Sequence, residues 1–203
     1  MVKKIVIIGP ESTGKSTLSE QLATHYNTVW CPEFARDYLL EHGTKYNYDD
    51  LLSIAKGQIE LEEKFELLAR NPGSAVTGKD HESDGGAHNA NLTTPSPLTT
   101  HHSLLFIDTN MYVMKVWCEF VFGKCHQYIL DQIDKRKYDL YLLCNIDLPW
   151  TYDELREYPD LERRQTLYEM YKNLMKNQPV PWKEISGNSE QRFRMAVSAV
   201  DNS

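Results

Sequence analysis

The chain has 203 residues, of which 41% are hydrophobic and 25% charged, values that exclude a wholly disordered or membrane-embedded protein. A net charge of −7, with 22 Lys and Arg scattered among 29 acids, offers no basic stripe and argues against nucleic acid as a partner. This length suits one α/β domain with room for an insertion, so residues 1–203 are expected to form a single domain.

The chain opens on Lys3 to Ile8, a β-branched run that predicts a buried strand and ends in Gly9. Its apolar part is too short for a signal peptide, and no other run approaches a membrane span. Ser16 to His25 continues as a helix, Thr28 to Cys31 as a second strand, and Glu33 to Leu40 as a second helix. Asp49 to Leu68 places Leu51, Leu52, Ile54, Ala55, Ile59, Phe65 and Leu68 at helical spacing, which predicts a long amphipathic helix.

From Asn71 to Ser103 the composition changes, with no aromatic residue, three prolines and four glycines. Such a segment has too little apolar surface to offset its ordering entropy, and it reads as a flexible insertion. It carries His81, His88, His101 and His102. These lack the regular spacing of metal ligands, so a solvated loop is the better reading.

Leu104 to Asp108 is an apolar strand ending in aspartate. Met111 to Phe122 and His126 to Lys135 read as helices, Leu140 to Cys144 as a strand, Leu161 to Lys176 as a helix, Trp182 to Ile185 as a strand and Ser189 to Val200 as a helix. Strands alternating with helices predict a doubly wound parallel sheet with helices on both faces. The four cysteines, Cys31, Cys118, Cys125 and Cys144, have neither zinc-site nor disulfide-framework spacing, and a reducing cytoplasm is expected.

Gly9-Pro10-Glu11-Ser12-Thr13-Gly14-Lys15-Ser16 fits the P-loop pattern G-x-x-x-x-G-K-[ST], between a strand and a helix as the chemistry requires. The motif calls for ATP with magnesium at residues Gly9 to Thr17. The loop N–H groups would face the phosphates, Lys15 would reach the β and γ phosphates, and Ser16 would offer its hydroxyl to the metal. Asp108, at the carboxyl end of its strand, is the second candidate metal ligand, against the alternative of a helix cap.

Glu33 and Arg36 stand one helical turn apart after the second strand. Glu33 is the first candidate for a base that accepts the proton of an acceptor hydroxyl, and Asp108 is the second; the alternative for Glu33 is a surface ion pair with Arg36. Arg156, Arg163 and Arg164 flank a turn at Glu157 to Asp160, as lid arginines over a transferring phosphoryl group or as solvated charge.

Together these residues resemble the NadR-like P-loop ATPase/kinase family, and within it the ribosylnicotinamide kinase domain. The resemblance rests on the phosphate loop, on Glu33-Phe34-Ala35-Arg36, Phe106-Ile107-Asp108-Thr109, Phe122-Gly123-Lys124 and Tyr138-Asp139-Leu140, and on Trp150-Thr151-Tyr152-Asp153-Glu154-Leu155-Arg156, which matches the family's W-x-x-D-G-L-R apart from Glu154 at the glycine position. It implies a nucleoside-kinase-like fold, ATP as donor, and phosphorylation of the ribose 5′-hydroxyl of nicotinamide riboside or a similar small nucleoside. It also implies that Glu33 and Asp108 are the acidic motif residues, Arg156 the lid arginine, and Arg164 a basic residue of the following helix. Pro32 stands where the family has tryptophan, and Asn110 where it has aspartate; Trp30, Tyr112 or Trp117 could supply the stacking surface instead. Two other readings are a regulatory nucleotide-dependent ATPase and a degenerate domain, the latter disfavoured by the intact Lys15, Ser16 and Asp108.

The composition of residues 71–103 generates a test. Replacing them by a short Gly/Ser linker should lower the melting temperature by less than about 10 °C, beyond which more than about 2 kcal/mol of packing would have been lost.

Overall fold

The structure is a computed structural model that describes residues 2–71 and 103–203. Residues 72–102, which make up the insertion between Asn71 and Ser103 and carry its four histidines, lie outside these residues. The elements follow the alternation expected: β1 (Lys3–Ile8), α1 (Lys15–His25), β2 (Val29–Cys31), α2 (Phe34–His42), α3 (Tyr48–Arg70), β3 (Leu104–Asp108), α4 (Met111–Phe122), α5 (Gln127–Lys135), β4 (Leu140–Cys144), α6 (Leu161–Lys176), β5 (Trp182–Ile185) and α7 (Ser189–Asp201). The five strands form one parallel sheet in the order β2-β3-β1-β4-β5. The chain starts at the centre, moves to one edge and then to the other, which makes the sheet doubly wound.

Strand periodicity sorts the core into two layers. Val6, Ile8, Leu105, Ile107, Tyr141 and Leu143 point to one face, against Val113 and Val116 of α4 and Leu167, Tyr168 and Tyr171 of α6. Ile5, Ile7, Phe106, Leu140 and Leu142 point to the other, against Leu18, Leu22 and Ala23 of α1 and Ala196 and Val200 of α7. Buried on both faces, the inner strands need near-continuous apolar runs, which is what made them visible in the sequence. A third apolar cluster, away from the sheet, joins Ala35 of α2, Leu51 and Ile54 of α3, Met111 and Met114 of α4, and Ile129 of α5.

Helix α3 begins with a capping box, in which the Asn47 side chain accepts from the Asp49 and Asp50 N–H groups and the Asp50 carboxylate accepts from the Asn47 N–H. Farther along, buried Glu62 accepts from Lys4 at 3.3 Å, Arg136 at 3.1 Å and the Tyr138 hydroxyl at 2.9 Å. A carboxylate removed from water requires such partners, and these tie α3 to β1 and to the approach to β4.

A buried arginine fixes the active end of the sheet. The Arg192 guanidinium of α7 donates to the carbonyls of Thr13 at 3.0 Å, Gly187 at 2.8 Å and Asn145 at 2.9 Å, and pairs with Asp147. Its planar fork joins the phosphate loop to the loops after β4 and β5, a task no ammonium could copy. Arg192→Met should lower unfolding stability by roughly 2–4 kcal/mol, because carbonyls and a carboxylate lose their donor together. A urea midpoint equal to wild type would show that the clamp contributes nothing.

Candidate active site

The phosphate loop turns at Gly9, whose φ of 141° lies outside the range of ordinary side chains. A Cβ there would stand 2.7 Å from the Cys144 carbonyl oxygen, so close approach to β4 also demands glycine. Gly14, at φ 77°, is the N-cap of α1 and aims the helix's unpaired first-turn N–H groups out of the loop. Buried Thr13 donates to the Pro10 carbonyl at 2.8 Å, and Lys15 Nζ donates to the same oxygen at 3.1 Å. The loop is therefore shaped by its own side chains.

Register brings the second motif alongside. Ile7 of β1 pairs with Asp108 of β3, so the aspartate ends its strand level with the start of the loop. Ser16 Oγ donates to Asp108 Oδ2 at 2.5 Å. The other carboxylate oxygen, Oδ1, is buried without a partner, an arrangement that calls for a cation. A hydroxyl and a carboxylate facing a phosphate cradle are the donors magnesium takes, with waters and phosphates completing its shell. Among the described residues no group of three or more His, Cys, Asp and Glu is arranged to hold a metal alone. Burial, and next the charge of Glu33, push the Asp108 carboxyl up to about 6, against the opposing pull of Lys15 and the Ser16 hydroxyl. Thr109, the following residue, holds φ at 77°, a conformation that disfavours a β-branched side chain and concentrates strain beside the aspartate.

Glu33 occupies the N-cap position of α2 but makes no capping bond, and its side chain lines the cavity. The ion pair between Glu33 and Arg36, one of the alternatives read from the sequence, is replaced by another: Arg36 pairs with Asp153 at 3.1 Å, far along the chain. An i, i+3 spacing permits a pair, but the carboxylate brought by the segment after β4 wins the guanidinium. The cavity, about 350 Å³, is lined by residues 9–17, Glu33, Arg36 and Asp108, and by the aromatic side chains Trp30, Tyr46, Trp117, Phe120 and Tyr158. Trp117 Nε1 donates to the Tyr46 hydroxyl at 2.8 Å, which in turn donates to Glu157 at 2.8 Å. Tyr112 does not line it and packs edge-on against Tyr141. Asn110, where the related motif has aspartate, is buried as the cap of α4 and donates to the Tyr141 hydroxyl at 3.1 Å.

Residues 149–160 cross the cavity mouth and are held by the phosphate loop itself. Glu11 accepts the N–H groups of Glu157 at 3.0 Å and Tyr158 at 3.2 Å, while Ser12 Oγ accepts the Thr151 N–H at 2.9 Å. Arg156 approaches Ser12 Oγ at 3.4 Å and lines the cavity. Burial raises the Glu11 carboxyl above its ordinary value, despite those N–H bonds and the charge of Lys15. Arg164 does not line the cavity: it is buried in α6, donates to the Leu148 carbonyl at 3.2 Å, and leaves Nε without a partner. Arg163 is exposed and pairs with Asp160. Sequence reasoning missed Tyr46, Gln58 and Arg192, and gave Asp153 only as a motif residue without its partner Arg36, since each makes its contacts across a long stretch of chain.

A glycine-bent loop leading into a helix, on a parallel sheet whose neighbouring strand ends in a buried carboxylate, defines a nucleotide-binding protein of the P-loop fold. The chain belongs to the AAA domain family, which it matches over residues 4–77 and 94–192. It is 24% identical over 204 residues to the trifunctional NAD biosynthesis/regulator protein NadR of Salmonella typhimurium strain LT2, and equally to that of Escherichia coli strain K12, covering 98% of this chain and 42% of each relative. It is similar to the crystal structure of NadR protein in complex with NR, with a TM-score of 0.69 and 19% identity over 99% of this chain and 50% of that one. Thymidylate kinase from Ehrlichia chaffeensis follows with a TM-score of 0.59 and 12% identity, covering 98% of both chains. The chain thus spans about half or less of its NadR relatives, and the resemblance to the NadR-like family read from the motifs is borne out.

The burial of Asp108 has a thermodynamic consequence. Its folded pKa stands above its unfolded value, so its contribution to stability is complete below about pH 3.9 and is lost as pH rises through about 6. Asp108→Asn should therefore gain stability over wild type between pH 4 and pH 7, by about 2–3 kcal/mol, in metal-free buffer. Melting curves whose difference stays constant with pH would contradict this.

Proposed function

We propose that this protein is an ATP-dependent small-molecule kinase, and that its acceptor is nicotinamide riboside or a similar nucleoside. The observation that carries this reading is the continuity of one cavity, lined both by the phosphate loop and by an aromatic and acidic wall, which gives room for a second small molecule beside the donor phosphates. Trp30, Trp117 and Tyr158 offer faces for a planar base, and nearby Asp153 and Glu157 favour a positively charged ring. The binding of NR described for the similar NadR structure supports the same acceptor.

In this reading residues 1–203 act as one unit, with 71–103 as an insertion. Ser16 and Asp108 would hold magnesium, whose charge offsets that of the donor phosphates. Loop N–H groups and Lys15 bind the phosphates and draw off charge as it shifts toward the leaving oxygen. Glu33 accepts the proton of the acceptor hydroxyl while Arg156, held by the loop at Ser12, faces the transferring group. Arg36 and Trp117 orient the acceptor, and residues 149–160 exclude water from the transfer. Arg164 supports the lid from beneath.

A regulatory ATPase is the second reading, favoured by the direct grip of Glu11 and Ser12 on the lid, which could report nucleotide state to a partner.

Mass spectrometry of reactions with ATP, magnesium and a panel of nucleosides separates the two. A nucleoside monophosphate is the expected product, and hydrolysis without any such product would favour the ATPase. Glu33→Gln should keep ATP affinity and slow single-turnover transfer by about 10²- to 10⁴-fold. An unchanged single-turnover rate would move the base role to Asp108.

A further inference from the structure

The side chain that best explains how Glu33 is held does not touch the cavity. Gln58, in the middle of α3, is only 1% exposed. Its Oε1 accepts the Phe34 N–H at 2.7 Å, and its Nε2 donates to the Pro32 carbonyl at 3.2 Å and toward Cys31 Sγ at 3.6 Å. One carboxamide therefore binds the peptide groups on both sides of Glu33.

The local sequence makes this necessary. Helix α2 has no side-chain cap of its own, because the residue at its N-cap position is the glutamate that lines the cavity. Its first N–H, that of Phe34, would otherwise be unsatisfied in a partly buried setting. A cap supplied from α3 satisfies this donor and leaves the Glu33 carboxylate free. The task requires one acceptor and one donor at fixed separation, which a carboxamide has. A carboxylate would turn an oxygen toward the Pro32 carbonyl, and methionine would satisfy neither group. The preceding residue reinforces the placement: a Cβ on Gly57 would lie 2.2 Å from the Phe34 ring, so α3 meets the start of α2 without an intervening side chain.

We infer that Gln58 is a positioning residue for phosphoryl transfer, acting through Glu33 by clamping the backbone of Pro32 and Phe34. This rests on the reading of Glu33 as the proton acceptor. Because α3 is anchored one turn farther on by the Glu62 cluster, the clamp refers the position of Glu33 to a rigid element and not to the short strand β2 alone.

The test is a double-mutant cycle in the full chain: wild type, Gln58→Met, Glu33→Gln and the double variant. ATP affinity, melting temperature and single-turnover transfer from ATP to nicotinamide riboside are measured with magnesium present. Gln58→Met should slow transfer by about 10- to 100-fold, the effect of a displacement on the order of 1 Å, and leave ATP affinity within about two-fold. In the Glu33→Gln background the same substitution should add no further slowing. Wild-type transfer by Gln58→Met, or equal slowing in both backgrounds, would overturn the inference, the latter by revealing general loosening. A wild-type rate for Glu33→Gln, or no transfer by the wild-type protein, would instead remove the role of Glu33 and the inference with it.

If Gln58→Met does not fold, Gln58→Glu replaces it. Its carboxyl can donate to the Pro32 carbonyl only when protonated, so its transfer rate relative to wild type should rise as pH falls. A ratio independent of pH would count against the clamp.

Discussion

The active end of this molecule depends on the parallel pairing of β1 with β3, in which Ile7 lies beside Asp108. Side chains alternate along a strand, so a shift of one residue would send Asp108 to the opposite face, away from Ser16, and put an isoleucine in its place. The register is therefore enforced by the apolar layers, Val6, Ile8, Leu105 and Ile107 on one side and Ile5, Ile7 and Phe106 on the other. Packing of ordinary aliphatic residues holds a buried carboxylate 2.5 Å from the Ser16 hydroxyl. The carboxylate is poorly stabilised without a cation, which is the expected relation between a fold and the site it supports.

What was legible in the sequence was whatever is encoded locally. The phosphate loop announces itself because the turn, the lysine and the hydroxyl all occur within eight residues, and Asp108 because it closes an apolar run. The inner strands β1, β3 and β4 were legible because a parallel sheet covered on both faces requires runs of β-branched and aliphatic residues there. The connections between distant segments were not legible. Arg36 has Glu33 three residues away, yet its partner is Asp153, and only the path of residues 149–160 over the cavity determines that choice. Gln58 and Arg192 look like unremarkable polar positions in amphipathic helices, since the backbone carbonyls they bind leave no mark on the sequence. Asn110 reads as a lost acid, whereas its amide is engaged at both ends, with the α4 N-terminus and with Tyr141.

The grip of the phosphate loop on residues 149–160 explains why the variable positions of the motif are what they are. Loop positions that contact phosphate do so through backbone N–H groups, which leaves their side chains available for a second task. Glu11 and Ser12 use that freedom to accept hydrogen bonds from the lid, one near each end of its path. Under the proposed function, any movement of the loop as it closes on phosphate would be transmitted to Arg156 and Glu157 through these bonds of about 3 Å. A P-loop without polar residues there could bind the same phosphates but would leave the lid to find its own position.

Charge balance gives that coupling a direction. Glu11, Glu33 and Asp108 line the same cavity; burial is the main cause of the upward shifts of Glu11 and Asp108, the charge of Glu33 adds to that of Asp108, and Lys15 opposes both. A nucleotide alone would add negative charge and worsen the repulsion. Magnesium, if held by Ser16 and Asp108 as proposed, would relieve it, and the partial positive charge of the α1 N-terminus would act in the same sense. Under the proposed function the site would thus be biased against nucleotide without its metal, and toward an arrangement in which phosphate, metal and Arg156 arrive together. Water-filled openings would screen the same charges and weaken the bias, so the hydrogen bonds that keep residues 149–160 across the cavity belong to the electrostatics of the site as much as to its shape.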